Sequence, residues 1–93
     1  MKIHWSDEAQ SDLFHALDFI AYDSLDASEG VLDRILASVG HLEKFPSMGR
    51  SGRVPGTREL VIAGLPFVIP YVIDRGEVAI LRVYHTSQDW PND

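Results

Sequence analysis

The sequence predicts one small α+β domain, in which a β-strand and a two-helix hairpin precede a short twisted antiparallel sheet. Apolar side chains recur at helical spacing in the first half of the 93 residues, and β-branched and aromatic runs follow in the second half. A segment rich in glycine and proline separates the halves. With 45% hydrophobic residues, the chain has enough apolar surface for a core. The predicted order is β-α-α-β-β-β, in a single domain over residues 1–93.

The first helix has a clear start signal. Lys2–Trp5 is predicted to be a strand, and Ser6 follows it as a helix N-cap. The helix then runs to about Tyr22, because its apolar residues fall on one face. These residues are Ala9, Leu13, Ala16, Leu17 and Ile20.

A second helix follows after a short connection. Asp26, with Glu29 three residues later, resembles a capping box and predicts its start. Pro46 predicts its end, since proline cannot continue a helix. Its apolar positions are Val31, Leu32, Ile35, Leu36, Val39 and Leu42. Two helices joined by so few residues form an antiparallel hairpin.

Three strands are predicted after the loop at residues 46–57. Arg58–Ala63 and Phe67–Ile73 supply two of them, and Glu77–Tyr84 supplies the third after a glycine turn. Pro70 interrupts the middle strand and cannot donate a ladder hydrogen bond. It therefore predicts a bulge or an unpaired edge at that point.

The charge is unevenly distributed along the chain. The net charge of −6 argues against broad phosphate binding. Residues 1–45 hold three basic and nine acidic side chains, whereas residues 46–93 hold five of each. Arg50, Arg53 and Arg58 lie close together with no acid between them. They form either a solvated loop or a local anion-binding patch.

Several function classes are not indicated. The chain has no cysteine, which excludes disulfides and thiolate metal sites. No apolar run approaches the roughly 18 residues of a membrane span, so a cytoplasmic protein is expected. The four histidines, at positions 4, 15, 41 and 85, lack the spacing of metal ligands. We therefore expect neither a metal nor a cofactor.

Two polar residues near the last strand are candidates for function. His85 ends this strand, where a side chain is rigidly held and still accessible; it is either a proton-transfer group or a hydrogen-bonded strand end. Arg82 lies inside the apolar run, and a buried arginine needs a partner. It either pairs with Glu59 or faces solvent, where it would contact a polyanion or a partner.

An ordered set of segments covers nearly the whole chain: Phe45–Arg50, Gly56–Leu60, Pro66–Ile69 with Tyr71, Ile80–Val83 and His85–Pro91, after an opening with Trp5, Ser6, Ala9, Asp12 and Leu13. Together they resemble the RelE/ParE toxin superfamily. The resemblance implies a type II toxin–antitoxin toxin of the plasmid-stabilisation type, with a helical hairpin on a twisted antiparallel sheet. It also implies a cognate antitoxin as partner.

The resemblance leaves two targets open. ParE-like toxins poison DNA gyrase, whereas RelE-like toxins are mRNA interferases that cut mRNA on the ribosome. Several RelE-like toxins carry an arginine or lysine just after the last strand, where this chain has Thr86, Ser87 and Gln88. This difference and the acidic composition favour the gyrase poison. An inactive relative that only binds an antitoxin is a further alternative.

If the chain cuts RNA, the resemblance implies particular residues. His85 would be the general acid or base, and Arg58 and Arg82 would stabilise the phosphate charge. Arg50 and Arg53 would assist. In either case, we expect an acidic and apolar antitoxin segment to dock on the arginine-bearing half, at residues 50, 53 and 58.

Overall fold

The computed structural model describes residues 1–91. Its elements are β1 (Lys2–Trp5), α1 (Asp7–Asp23), α2 (Leu25–Gly40), a 3₁₀ helix (His41–Glu43), β2 (Arg50–Ser51), β3 (Arg58–Val61), β4 (Phe67–Asp74), β5 (Glu77–Ile80) and β6 (Tyr84–His85). The predicted α+β class is confirmed. No helix in the described part of the chain is long and apolar enough to cross a membrane.

The sheet is mixed, with the strand order β1-β5-β4-β3-β2 and with β6 also paired to β4. The strands from β2 to β6 pair antiparallel, as predicted. The first strand differs, because β1 pairs in parallel with β5 from Lys2 opposite Glu77 to Trp5 opposite Ile80. A sequence pattern gives no information on the partner of an edge strand, so this parallel pair was not predicted.

The last predicted strand is broken opposite Pro70. Both β5 and β6 pair with β4, but Leu81–Val83 lies between them outside the regular ladder. The Leu81 N–H donates to the Pro70 carbonyl over 2.9 Å. The N–H and C=O of a strand residue point to the same neighbour, so the missing N–H of Pro70 faces this break. The predicted irregularity at Pro70 is confirmed, whereas the continuous strand Glu77–Tyr84 is wrong.

The hairpin turn between the helices is shorter than predicted. Ser6 caps α1 by accepting from the Ala9 N–H over 3.0 Å, as expected. Ser24 alone separates the helices, and its side chain accepts from the Ala27 N–H over 3.1 Å. The predicted capping box at Asp26 is therefore wrong, because the extended backbone of Ser24 already supplies the cap.

The core lies between the sheet and the inner faces of both helices. Ile35 and Val39 of α2 and Leu42 of the 3₁₀ helix are buried there against the central strands. Helix α2 ends at Gly40, before the predicted end at Pro46, and the 3₁₀ turn carries the apolar pattern onward to Leu42. These elements therefore place the loop at residues 44–57 and the residue His85 at different sides of the sheet.

Candidate functional site

His85 lies at the end of β6, on a surface next to α1. Its ring packs edge-on against Phe67, with the ring centroids 5.8 Å apart. Its backbone N–H donates to the Gln88 Oε1 over 2.9 Å. Residue 85 is exposed, as the sequence predicted for a strand-end histidine.

The hydrogen bonds of the His85 ring assign its tautomer. The Ser87 backbone N–H donates to Nδ1 over 3.1 Å, and the Ser87 hydroxyl lies 2.7 Å from the same nitrogen. Because Nδ1 accepts here, the proton of a neutral ring is on Nε2. The lone pair that a general base needs is therefore engaged within the chain.

An open groove of about 460 Å³ lies beside His85, between α1 and the end of the sheet. It is lined by Asp12, His15, Ala16, Phe19, Ile20, Val31, Leu65, Pro66, Phe67, Val83, His85 and Gln88. None of these lining residues is lysine or arginine. The groove therefore offers an apolar floor with a few polar groups, which suits the side chains of a protein segment better than a phosphate.

The Arg82 side chain is bound to helix α1, so its guanidinium is not free to bind a phosphate. Its Nε and Nη2 donate to the two carboxylate oxygens of Asp12 over 2.7 and 3.0 Å. The Val83 N–H also donates to this carboxylate over 3.0 Å. The hydrogen bond with Asp12 raises the pKa of Arg82 and outweighs the opposing desolvation. Of the two alternatives considered for Arg82, the pair with Glu59 is wrong, because the partner carboxylate is Asp12.

The guanidinium of Arg82 also lies over an aromatic ring. Its Cζ is 5.1 Å from the centroid of Tyr84. The Tyr84 ring in turn packs against the Trp90 ring, and the two ring centroids are 5.8 Å apart. Asp12, Arg82, Tyr84 and Trp90 thus form a continuous contact from α1 through the strand break to the last described residues.

Arg58 fixes the loop that precedes it. Its Nη1 donates to the carbonyls of Ser47 and Gly49 over 3.1 and 2.9 Å. The buried Tyr71 holds the same loop, since its hydroxyl donates to the Pro46 carbonyl over 2.7 Å and accepts from the Gly49 N–H over 2.9 Å. A Cβ at residue 49 would lie 2.6 Å from that hydroxyl, so glycine is required there.

Arg50 and Arg53 differ in how free their charges are. Arg50 donates through Nε and Nη2 to Oε1 of Glu59, a carboxylate that is only 2% exposed, and the Arg53 backbone N–H donates to Oε2. Among the described residues, the Arg53 side chain donates to the Trp90 carbonyl over 3.3 Å. Among the described contacts, the guanidinium of Arg53 therefore makes fewer hydrogen bonds than the guanidinium of Arg50 or of Arg58.

The structure distributes the predicted site residues over two regions. His85 lines the groove, whereas Arg58 and Arg50 are bound within the loop beside β3 and Arg82 is bound to Asp12. Asp12 was missed as a site residue, because only its place in the first helix was noted from the sequence. In the described part of the chain, no three histidine or acidic side chains converge as a metal site.

Comparison with known proteins agrees with this architecture. The family model described as "ParE toxin of type II toxin-antitoxin system, parDE" matches residues 3–90. "Putative toxin Y4kP" of Sinorhizobium fredii is 42% identical over 90 residues, which cover 97% of this chain and 93% of that protein. "Toxin RelE2" of Caulobacter vibrioides is 30% identical over 87 residues, which cover 94% of this chain and 97% of that protein.

Solved structures extend the comparison to the fold. A chain of the "Chromosomal ParDE TA system from P. aeruginosa" has a TM-score of 0.82 at 26% identity, with 91% of this chain and 95% of that chain covered. The protein HP0894 of Helicobacter pylori shares the fold, with a TM-score of 0.59 at 20% identity over 95% of this chain and 97% of that chain. These matches define a RelE/ParE superfamily toxin. Within this superfamily, the chain belongs to the ParE toxin family of type II toxin–antitoxin systems.

Proposed function

We propose that the chain arrests growth by binding DNA gyrase, and that it does not cut RNA. The observation that carries this proposal is the groove beside His85, whose lining contains no lysine or arginine. A surface of this kind binds a protein, because its apolar floor gains from burial and its few polar groups fix orientation. The action is proposed to take place in the cytoplasm, where gyrase meets the chromosome.

The chemistry of RNA cleavage gives further support. Cleavage requires an acid, a base and cationic groups that converge on one phosphate. Nδ1 of His85 accepts from Ser87, and the guanidinium of Arg82 is paired with Asp12. The guanidinium of Arg58 is directed at loop carbonyls. These groups hold positions within the fold and are not free for a phosphate.

A second candidate is the RelE-like mRNA endonuclease. It is favoured by one observation, the exposure of His85 at the groove, where its Nε2–H could act as an acid. In that mechanism Arg58 and Arg82 would have to leave their present partners to reach the scissile phosphate. The cost of leaving Asp12 unpaired makes this the weaker candidate.

Replacement of His85 distinguishes the two candidates in cells. We expect induced His85→Gln still to arrest growth, because glutamine is a polar side chain that can line the groove but cannot transfer a proton as imidazole does. His41→Gln, at an exposed histidine outside the groove, is the matched control. Growth would be followed by colony counts after induction, with the mRNA ends mapped in parallel.

Three other outcomes would contradict the proposal. Loss of arrest in the folded His85→Gln protein, together with codon-position cuts in wild-type cells, would identify a nuclease. Arrest without any effect on gyrase would require another target. Normal growth at a verified level of the wild-type protein would identify an inactive relative that only binds an antitoxin.

We also propose that a cognate antitoxin neutralises the chain through its arginine-bearing half. The loop at residues 50–58 carries three arginines on an otherwise acidic protein, and β2 is an edge strand of the sheet. An extended antitoxin segment could pair along this edge while its acids meet the arginines. Arg50 and Arg58 hold the loop in shape, so Arg53 is the cation that can be tested without unfolding it.

Reversal of charge at Arg53 should weaken antitoxin binding. We expect Arg53→Glu to lower the affinity for the antitoxin about threefold to tenfold. The loss should be largest at low salt, because an ion pair between Arg53 and an antitoxin acid would be solvent-exposed. Arg75→Glu, at the exposed turn between β4 and β5, makes the same change of charge elsewhere. Titration calorimetry with the purified antitoxin measures both. Equal affinities for both variants would place the antitoxin on another surface.

A further inference from the structure

Strand β1 is an edge strand, and its outer side has no neighbour in the described part of the sheet. The Ser6 N–H donates to the Ile80 carbonyl of β5 over 3.0 Å, so the backbone of Ser6 faces the sheet. Successive residues of a strand face opposite sides, so the backbone groups of Trp5 and Ile3 face outward. The Trp5 carbonyl already accepts from Nε2 of Gln10 over 3.1 Å. The N–H and C=O of Ile3 are therefore directed to the open edge, where an added strand could pair.

An apolar groove of about 480 Å³ lies beside this edge. It is lined by side chains of β1, α1 and α2, among them Trp5, Leu13, Phe14 and Leu36. Phe14 is 67% exposed and Leu36 is 46% exposed, although both are large and apolar. None of the lining residues is a lysine, an arginine or a carboxylic acid. A partner at this edge would therefore bury apolar side chains without enclosing a charge in the groove.

The two ends of β1 carry opposite charges. Lys2 is the first residue of the strand, and Asp7 and Glu8 lie in the first turn of α1, just after its end. All three side chains are exposed. Neither of the two side-chain ion pairs in the described part of the chain includes any of them. An identical strand that runs antiparallel to β1 would bring each Lys2 toward the acids of the other copy, and would do so twice.

We infer that the partner at this edge is a second copy of the chain, paired through two antiparallel β1 strands about a two-fold axis. Each feature of the surface is complementary to itself in that arrangement. The Ile3 N–H of each copy can donate to a carbonyl of the other, and the apolar side chains beside the two strands come into contact. Each Lys2 then lies near the acids of the other copy. An unrelated partner would have to supply all three features.

This pairing goes beyond the proposed function and does not depend on it. The groove beside β1 and the groove beside His85 have no lining residue in common. Two paired copies would therefore each keep the groove that is proposed to bind gyrase. The test needs only the purified chain, so its result is independent of whether gyrase is the target.

Sedimentation equilibrium of the purified chain, from micromolar to millimolar concentration at low salt, measures the association. We expect wild type to reach the mass of a dimer as its concentration rises. Phe14→Ser, Lys2→Glu and Asp7→Lys should each raise the dissociation constant of the dimer about tenfold, because each change acts twice in a symmetric interface. The effect of the two charge reversals should shrink at high salt.

A mixture of the two charge variants gives the sharpest result. The Lys2→Glu protein has acids at both ends of β1, whereas the Asp7→Lys protein has a lysine at residue 2 and another at residue 7. Each variant should therefore repel its own copy, but an antiparallel pair of one with the other places an acid near a lysine at both contacts. We expect the mixture to form dimers at concentrations where each variant alone is monomeric.

Matched controls make the same chemical changes away from β1. Arg53→Glu reverses a cation in the loop that follows β2, at the opposite edge of the sheet. Asp26→Lys reverses an acid in the first turn of α2, as Asp7→Lys does in α1. Phe45→Ser replaces an aromatic residue that is 63% exposed. All three should dimerise as wild type does, and the thermal midpoint of every variant shows whether the fold is retained.

Three results would overturn the inference. Wild type that stays monomeric at every concentration would leave the edge without a second copy. A dimer that the β1 variants weaken no more than the controls do would place the contact on another surface. Failure of the two folded charge variants to associate when mixed, although each alone is weakened, would exclude the antiparallel arrangement.

Discussion

Asp12→Ala should lower the free energy of unfolding by about 2–3 kcal/mol, since it leaves a partly buried arginine without its carboxylate. Asp12 accepts two hydrogen bonds from Arg82 and one from the Val83 N–H. The side chains are 18% and 32% exposed, so the effect should be smaller than for a fully buried pair. Because these contacts join α1 to the strand break, their loss should weaken the packing of α1 on the sheet. Urea denaturation followed by circular dichroism measures it.

The same helix supplies the control for this prediction. Asp18→Ala removes an exposed acid from α1 and should change stability by no more than about 0.5 kcal/mol. Asp12→Asn keeps the size of the side chain but loses its charge, so its effect should lie between the two. If the free energies of unfolding of Asp12→Ala and Asp18→Ala agree within error, the hydrogen bonds of Asp12 to Arg82 and Val83 do not stabilise the strand break.

Arg50→Ala should destabilise the chain by about 2 kcal/mol, because it removes the cation from a buried carboxylate. Glu59 is 2% exposed and would keep only the Arg53 backbone N–H as donor. The effect is below that of a fully enclosed pair, because the Arg50 side chain is 56% exposed. Thermal and urea unfolding of the purified variant measure this change.

A second substitution isolates the cause of the Arg50 effect. Glu59→Gln in the Arg50→Ala background should restore part of the lost stability, because a neutral amide is less costly to bury than a carboxylate. Arg53→Ala is the control, since it keeps the backbone donor and should cost about 0.5 kcal/mol. A double variant less stable than Arg50→Ala alone would contradict the assignment of Glu59 as the group left unpaired.

Local patterns predicted most of the fold. Ser6 as a cap and the turn before β5 depend only on neighbouring residues, and both were confirmed. The apolar stripes of the helices were confirmed for most positions, but Leu36, predicted to widen the stripe of α2, is exposed. The parallel pairing of β1 with β5 depends on residues more than 70 positions apart. No local signal specifies such a partner, so the mixed character of the sheet required the structure.

The site was less predictable for the same reason. The exposure of His85 at a strand end followed from its position, and it was confirmed. The partners of the arginines did not follow, because Asp12 and Arg82 are 70 residues apart and no local pattern connects them. The apolar groove joins residues from α1, α2 and the end of the sheet, so only the folded chain displays it.

The most direct test of the central claim is a supercoiling assay with purified gyrase. The chain should inhibit supercoiling or stabilise cleaved DNA, and it should leave mRNA intact in a translation reaction. Addition of the cognate antitoxin should relieve the effect. Unaffected gyrase, together with cuts in translated mRNA at codon positions, would contradict the claim and identify an mRNA endonuclease.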